Sequence, residues 1–178
     1  MVVVRCTQRL LKRFDRVPDD RNDTGPDSKL GNWYANVITT RPRHLALCAN
    51  ERTLLSVVVP VAPISGFLDR FRDAALRRIH QTPVAASLRL PDAAAFVEIQ
   101  VGRTQSRSVL ASMNQLRLDA QVWLENGPTG DIEELGRWLC DRPCSALRTH
   151  WPWCEAEFLL TGTMRASHVR IRPERLTR

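Results

Sequence analysis

The sequence has little of several features that would identify a class of protein at once. Only eight of its 178 residues are glycine, and it contains no phosphate-cradling glycine loop, no Gly-x-Ser-x-Gly string and no helix with paired carboxylates. The longest apolar stretch, 54–64, is interrupted by Ser56, Pro60 and Pro63 and is too short to span a bilayer. The N-terminal residues lack the apolar length of a secretory signal. We therefore expect a cytoplasmic protein with no membrane partner, no cofactor and none of the common nucleotide-binding or hydrolase motifs.

Lysine is also scarce. Only Lys12 and Lys29 stand among 26 basic residues, the other 24 being arginine, and the net charge is +7 with a pI near 9.9. An arginine excess is typical of GC-rich genomes as well as of polyanion-binding proteins. More than half of the net charge lies in residues 165–178, where five arginines and Glu174 leave +4. This basic tail either attracts phosphate or is a solvated end. Its candidate nucleic-acid contacts are Arg165, Arg170, Arg172, Arg175 and Arg178.

The five cysteines are an odd number, which favours free thiols in a reducing compartment. Cys140, Cys144, His150 and Cys154 approach the spacing of a zinc knuckle, but each interval differs by one residue. We therefore predict no metal site, with zinc at these four residues left open as the alternative.

The hydrophobic pattern predicts a single α+β domain over residues 1–160, followed by a basic extension over 161–178. Its sheet is expected to be small and antiparallel, with helices packed on one face. Residues 15–30 are dense in Asp, Asn, Gly and Pro and are expected to form a solvated loop.

The predicted strands are an N-terminal strand over 2–5 and a meander of 33–39, 44–48 and 54–59, of which the last is apolar enough to be central. The predicted helices are one capped by Thr7 that ends by Pro18, 63–80, 131–141 and two short pieces beginning at Thr82-Pro83 and Pro91-Asp92. Residues 116–124 fit either a helix or a strand, and Gly127 favours a helix that ends in a glycine stop.

Four groups of residues, taken together, are similar to those of a known protein family. They occur in the order Arg5-Cys6-Thr7 with Leu10-Leu11, Asn32-Trp33-Tyr34-Ala35-Asn36, Asn50-Glu51-Arg52-Thr53-Leu54, and Arg107-Ser108-Val109-Leu110-Ala111-Ser112-Met113-Asn114. Together they resemble a family of small bacterial domains of unknown function, over roughly residues 2–160. The resemblance implies a cytosolic bacterial protein of this size, with no established activity to transfer. The chain departs from the family where Ala111 replaces a usual glycine and Gln115 a usual acidic residue.

The segment from Arg107 to Asn114 is the most concentrated polar chemistry in the chain. On a helix, its candidate anion-binding residues Arg107, Ser108, Ser112 and Asn114 would lie near the N-terminal end, where free N–H groups and the dipole favour an anion. The structural alternative is that Ser106 or Thr104 caps the helix and Ser112 and Asn114 pack under a loop.

A second candidate lies on the strand that begins at Trp33. Asn32, Tyr34 and Asn36 alternate onto one side of it and could bind the edge of a ligand. The alternative is a strand with one solvated face, anchored in the core by Trp33.

These features support two hypotheses about function. The first is a non-enzymatic binding protein that contacts a protein or nucleic-acid partner through arginine-rich surfaces. Besides the tail, those surfaces would include Arg41, Arg43, Arg52, Arg103 and Arg107. The second is a small hydrolase or transferase with an anion site at Arg107–Asn114, which requires a pocket where this segment meets the strand 32–36.

Overall fold

A computed structural model describes residues 1–14, 28–40, 44–127 and 130–163. These residues form a five-stranded sheet with six helices, so the α+β class is confirmed. The strands are β1 (Val2–Cys6), β2 (Trp33–Ile38), β3 (Leu45–Asn50), β4 (Ser56–Pro60) and β5 (Ile99–Arg103). The helices are α1 (Gln8–Leu11), α2 (Phe67–His80), α3 (Ala86–Ala94), α4 (Arg107–Asn126), α5 (Ile132–Cys140) and α6 (Pro152–Thr161).

The strand order is β4-β3-β2-β1-β5, and the predicted meander of β2, β3 and β4 is antiparallel. The expectation that the whole sheet is antiparallel was wrong, because β1 runs parallel to both of its neighbours, β2 and β5. Parallel neighbours need a crossover connection of about a dozen residues or more. The chain between Cys6 and Trp33, which includes α1, is long enough for one.

Helices cover both faces of the sheet, not one as expected. On the first face, called here the α2 face, Trp33 packs edge-on against Phe71 and Phe96 in the larger of two apolar cores. The second face, the α4 face, buries Tyr34, Leu47 and Val58 against residues of α4 and α5. Consecutive apolar residues in β4 are typical of a strand buried on both sides. Although β4 was expected to be central, it is an edge strand that α2 and α5 cover.

The region between α2 and α4 differs most from its prediction. Neither Pro83 nor Pro91 begins a helix; Pro91 lies inside α3. The strand β5 was missed because its five residues are only partly apolar and include Gly102.

The end of the predicted solvated loop is buried. Ser28 and Leu30 are 6% and 0% exposed, and the Oδ1 atom of Asp92 accepts hydrogen bonds from the Ser28 hydroxyl and the Leu30 N–H. This part of the loop expectation was therefore wrong, because a buried carboxylate on α3 supplies the acceptor that water would otherwise provide. Residues 15–27 lie outside the described residues.

Candidate functional site

The two candidate segments, 107–114 and 32–36, meet at the start of α4. Segment 116–124 is helical, and Ser106 is the N-cap of α4, its hydroxyl accepting a hydrogen bond from Val109 N–H at 3.3 Å. The backbone N–H of Ser106 donates to the phenolic oxygen of Tyr34 at 3.0 Å. One direct hydrogen bond thus joins the strand 32–36 to the N-terminus of α4. The helix ends before Gly127, as predicted, although Gly127 is extended and not left-handed.

The helix separates the four candidate residues of segment 107–114. Arg107 and Ser108 occupy its first turn and are exposed, and the Ser108 hydroxyl lies 2.9 Å from that of Ser106. Ser112 is half-buried, and Asn114 is exposed about 10 Å further along the helix axis. Only Arg107 and Ser108 therefore lie where the free N–H groups of the first turn could bind an anion.

The polar residues of the other segment are used inside the fold. The Oδ1 atom of Asn32, which is 2% exposed, accepts from Val3 N–H at 3.0 Å. The Oδ1 atom of Asn36 accepts from the Thr7 hydroxyl at 3.2 Å. Of the three candidates, only Tyr34 contacts the start of α4. These bonds connect Asn32, just before β2, to β1, and Asn36 of β2 to Thr7, just after β1.

A residue that the sequence reasoning missed, Arg5, lies beneath this region. It is 5% exposed and pairs with Tyr34 on one side of β1 and with Gly102 on the other. Its side chain passes over Gly102, and its guanidinium donates to the carbonyl of Arg103 at 3.3 Å. The signal available in the sequence was an arginine inside the otherwise apolar strand Val2–Cys6, since arginine is rarely buried without partners.

The topology places these residues at the carboxyl ends of two adjacent parallel strands. The adjacent parallel strands β1 and β5 are paired up to their last residues, Cys6 and Arg103. The helices that follow them lie on opposite faces, because Leu10 of α1 belongs to the α2 face and Met113 of α4 to the α4 face. In open sheets with parallel strands, ligands bind outside the carboxyl ends of the strands, where successive connections leave in opposite directions.

The chain segments that build this edge are basic. Residues 1–14 carry four basic side chains and residues 99–118 carry three, whereas neither segment contains aspartate or glutamate. Together with the positive end of the α4 dipole, they favour a negative charge at this edge. We call the edge formed by Arg5, Arg103, Ser106, Arg107 and Ser108 the candidate anion site.

The cysteines do not provide a second site. Among the described residues, no group of three or more His, Cys, Asp and Glu side chains is arranged to hold a metal ion. The thiol of Cys140 is buried and accepts from the backbone N–H of Ser56 at 3.1 Å. Burial raises its pKa to about 11 and that of Cys6 to about 12, so both remain protonated and poorly nucleophilic near neutral pH.

Cys6 and Cys48 also cannot form a disulfide with each other. Both pair with Ala35 of β2, which therefore lies between them. Two strand spacings separate their Cα atoms by about 10 Å, whereas a disulfide requires less than about 7 Å. Burial raises the pKa of the Cys48 thiol well above its ordinary value. These thiols are therefore part of the core of the α2 face.

The arginines of the expected arginine-rich surfaces lie in separate parts of the molecule. Arg103 and Arg107 lie at the candidate anion site, whereas Arg52 follows β3 at the opposite edge and donates to the Lys29 carbonyl at 2.8 Å. Residues 41–43 and 164–178, which include Arg41, Arg43 and the five tail arginines, lie outside the described residues.

The fold and this edge define a class: an α+β protein with a mixed five-stranded sheet, a helix layer on each face and a basic carboxyl edge. Within the described residues, no helix is long and apolar enough to cross a membrane. The chain belongs to the family described as Domain of unknown function (DUF6933), which matches residues 3–155. A search of curated proteins gave no significant match.

Proposed function

We propose that this domain is a non-enzymatic binding protein that holds an anionic group of its partner at the candidate anion site. The observation that carries the proposal is the hydrogen bond from Ser106 N–H to Tyr34, which fixes the N-terminus of α4 beside the carboxyl ends of β1 and β5. A rigidly held helix terminus at a switch in strand connections is the setting in which phosphate and carboxylate groups are bound in many folds.

The groups at the site supply complementary charge and hydrogen-bond donors. The helix itself provides no acceptor for the N–H groups of Arg107 and Ser108, because these belong to the first turn. The guanidinium of Arg107 can make two parallel hydrogen bonds to a phosphate or carboxylate.

Nucleic acid and protein partners both present such groups, and the two differ in how they would use the rest of the chain. A nucleic acid would also engage the tail arginines through its other phosphates, so its affinity would fall steeply with salt. A protein partner with one phosphate or carboxylate would depend mainly on the α4 terminus.

The test uses inorganic phosphate, pyrophosphate and a single-stranded oligonucleotide as probes, followed by calorimetry and amide chemical shifts. We expect saturable shifts at Ser106–Ser108 and about a tenfold loss of pyrophosphate affinity in Arg107→Gln, the size of one lost charge-assisted hydrogen bond. The matched control is Arg137→Gln, which removes another exposed arginine, from α5.

Equal losses in the two variants would show general electrostatic attraction and would overturn the proposal, as would the absence of binding at low salt. A hydrolase or transferase that uses the same site is the alternative function. If the protein turns over a phosphate or carboxylate ester and Ser108→Ala abolishes this turnover, the site belongs to an enzyme and the binding proposal is wrong.

A further inference from the structure

The solvent-facing side of α4 has an unusual distribution of charge. Nine residues of this helix are exposed, and only Arg107 at its start and Glu125 near its end are charged. Between them lie the apolar side chains of Leu118 and Val122, which are 49% and 59% exposed, together with Ala111 and neutral polar residues. A long apolar and neutral strip with a single charge at each end is typical of a contact surface rather than a solvated helix face.

Arg107 and Glu125 each lie at the end of α4 whose dipole charge has the same sign as their own. The first turn of α4 contains no acidic residue and its last turn no basic one. The positive N-terminus instead carries Arg107, and the negative C-terminus carries Glu125. Each such placement is unfavourable in an isolated helix, because the helix dipole favours the opposite signs. A neighbouring antiparallel helix would reverse both effects, since each charge would then lie beside the opposite end of a second dipole.

We propose that α4 is the interface of a homodimer in which two copies of this helix pack antiparallel about a two-fold axis near residue 116. Arg107 and Glu125 are 18 positions apart on the same side of the helix, a separation of about 27 Å. The axis midway between them places Arg107 beside the partner's Glu125 at both ends of the contact. A two-fold interface requires such a self-complementary surface, which favours a second copy over an unrelated partner.

The apolar side chains fit the same arrangement. Leu118 lies two positions, or about 3 Å, from the axis, so that it packs against the partner's Leu118. The larger Val122 lies opposite the small Ala111 of the second copy, which lets the two helices approach closely. Because a contact between two single helices is small, the dimer is expected to be weak and to depend on protein concentration.

The test reverses one charge at a time and then mixes the variants. Arg107→Glu places Glu against the partner's Glu125 at both ends, and Glu125→Arg places Arg against the partner's Arg107. We expect sedimentation velocity to show at least about a tenfold weaker dimer for each variant alone, because a like-charge contact occurs twice. An equimolar mixture should recover the dimer as a heterodimer, since both ends then pair opposite charges.

The variants also control for folding. Each reversal makes the helix dipole more favourable, so the monomer should keep its circular dichroism and thermal stability. Matched controls are Arg137→Glu on α5 and Asp73→Arg on α2, both at exposed positions outside α4. Glu125→Arg should still bind phosphate, which separates this proposal from the anion site. A wild-type monomer at about 1 mM protein, unaffected dimers in the single variants, or no recovery on mixing would each overturn the proposal.

Discussion

Replacing Tyr34 by phenylalanine tests the link between the two segments that build the candidate site. The Tyr34 side chain is 1% exposed and belongs to the same buried cluster as Met113 and Leu116 of α4. Its phenolic oxygen is the acceptor for the backbone N–H of Ser106, the N-cap of α4. The substitution keeps the ring and its packing and removes only the hydroxyl, and with it the acceptor for Ser106 N–H.

The expected loss of stability follows from the Ser106 N–H, which the substitution leaves without its acceptor. A hydrogen bond within a protein contributes about 1 kcal/mol net, and a donor left partly buried without an acceptor raises this cost to about 2 kcal/mol. For a domain of this size, a loss of about 2 kcal/mol corresponds to a decrease in Tm of about 4–8 °C. Because the start of α4 would also be held less firmly, the affinity for pyrophosphate should fall with the stability.

Urea denaturation and thermal melting of the wild type and Tyr34→Phe would measure the change. Ser87→Ala, which removes an exposed hydroxyl from α3, is the control and should change the free energy of unfolding by less than about 0.5 kcal/mol. An unchanged free energy of unfolding in Tyr34→Phe would refute the reasoning. A loss above about 4 kcal/mol would also refute it, because that would mean repacking of the ring rather than loss of one hydrogen bond.

Three further predictions concern other parts of the molecule. Asn32→Ala should lower the free energy of unfolding in urea by about 1–3 kcal/mol, because Val3 N–H loses its buried acceptor. At pH 8, a thiol reagent should not modify Cys6 or Cys140 in the folded protein. Unfolded thiols ionise near their ordinary pKa of 9.0 and Cys140 only near about 11, so the free energy of unfolding should fall as pH rises between these values. Deleting residues 164–178 should lower the salt concentration that elutes the protein from heparin, and unchanged elution would contradict a polyanion role for the tail.

Local patterns predicted the elements whose ends are marked in the sequence. The meander followed from apolar runs between turn residues, and α5 from the cap Asp131, whose carboxylate accepts from Glu133 N–H at 2.8 Å. The same reasoning favoured a helix over a strand for α4, because Gly127 stands just past its end. Caps and turns act within a few residues, so one sequence is enough to read them.

Long-range pairing could not be read in the same way. The parallel partners of β1 are set by how distant segments pack, and β5 lacks a continuous apolar run because Gln100 and Gly102 interrupt it. A side chain at Gly102 would place its Cβ 2.8 Å from Val3, so the glycine is needed where β1 and β5 lie side by side. In the sequence this glycine weakened the strand pattern, although the structure requires it.

For the candidate site, residue types were visible but their partners were not. Arg107 and Ser108 were predicted near a helix N-terminus, and both lie there. Asn32 and Asn36 had the same polar character, yet they serve the backbone of β1 and the Thr7 hydroxyl. A side-chain amide can form hydrogen bonds with a ligand or with groups of the protein itself, and only the three-dimensional arrangement distinguishes the two.

Arg107 belongs to both the candidate anion site and the proposed dimer face, and this shared position makes the two events thermodynamically linked. An anion bound to Arg107 would compete with the partner's Glu125, so pyrophosphate should raise the dissociation constant of the dimer. Linkage requires the reciprocal effect, namely that raising the protein concentration weakens pyrophosphate binding by the same factor. In Glu125→Arg the dimer contact is lost, and pyrophosphate affinity should no longer depend on protein concentration. A wild-type dimer that ignores saturating pyrophosphate would show that the two functions do not share Arg107, and one of the two assignments would then have to move to other residues.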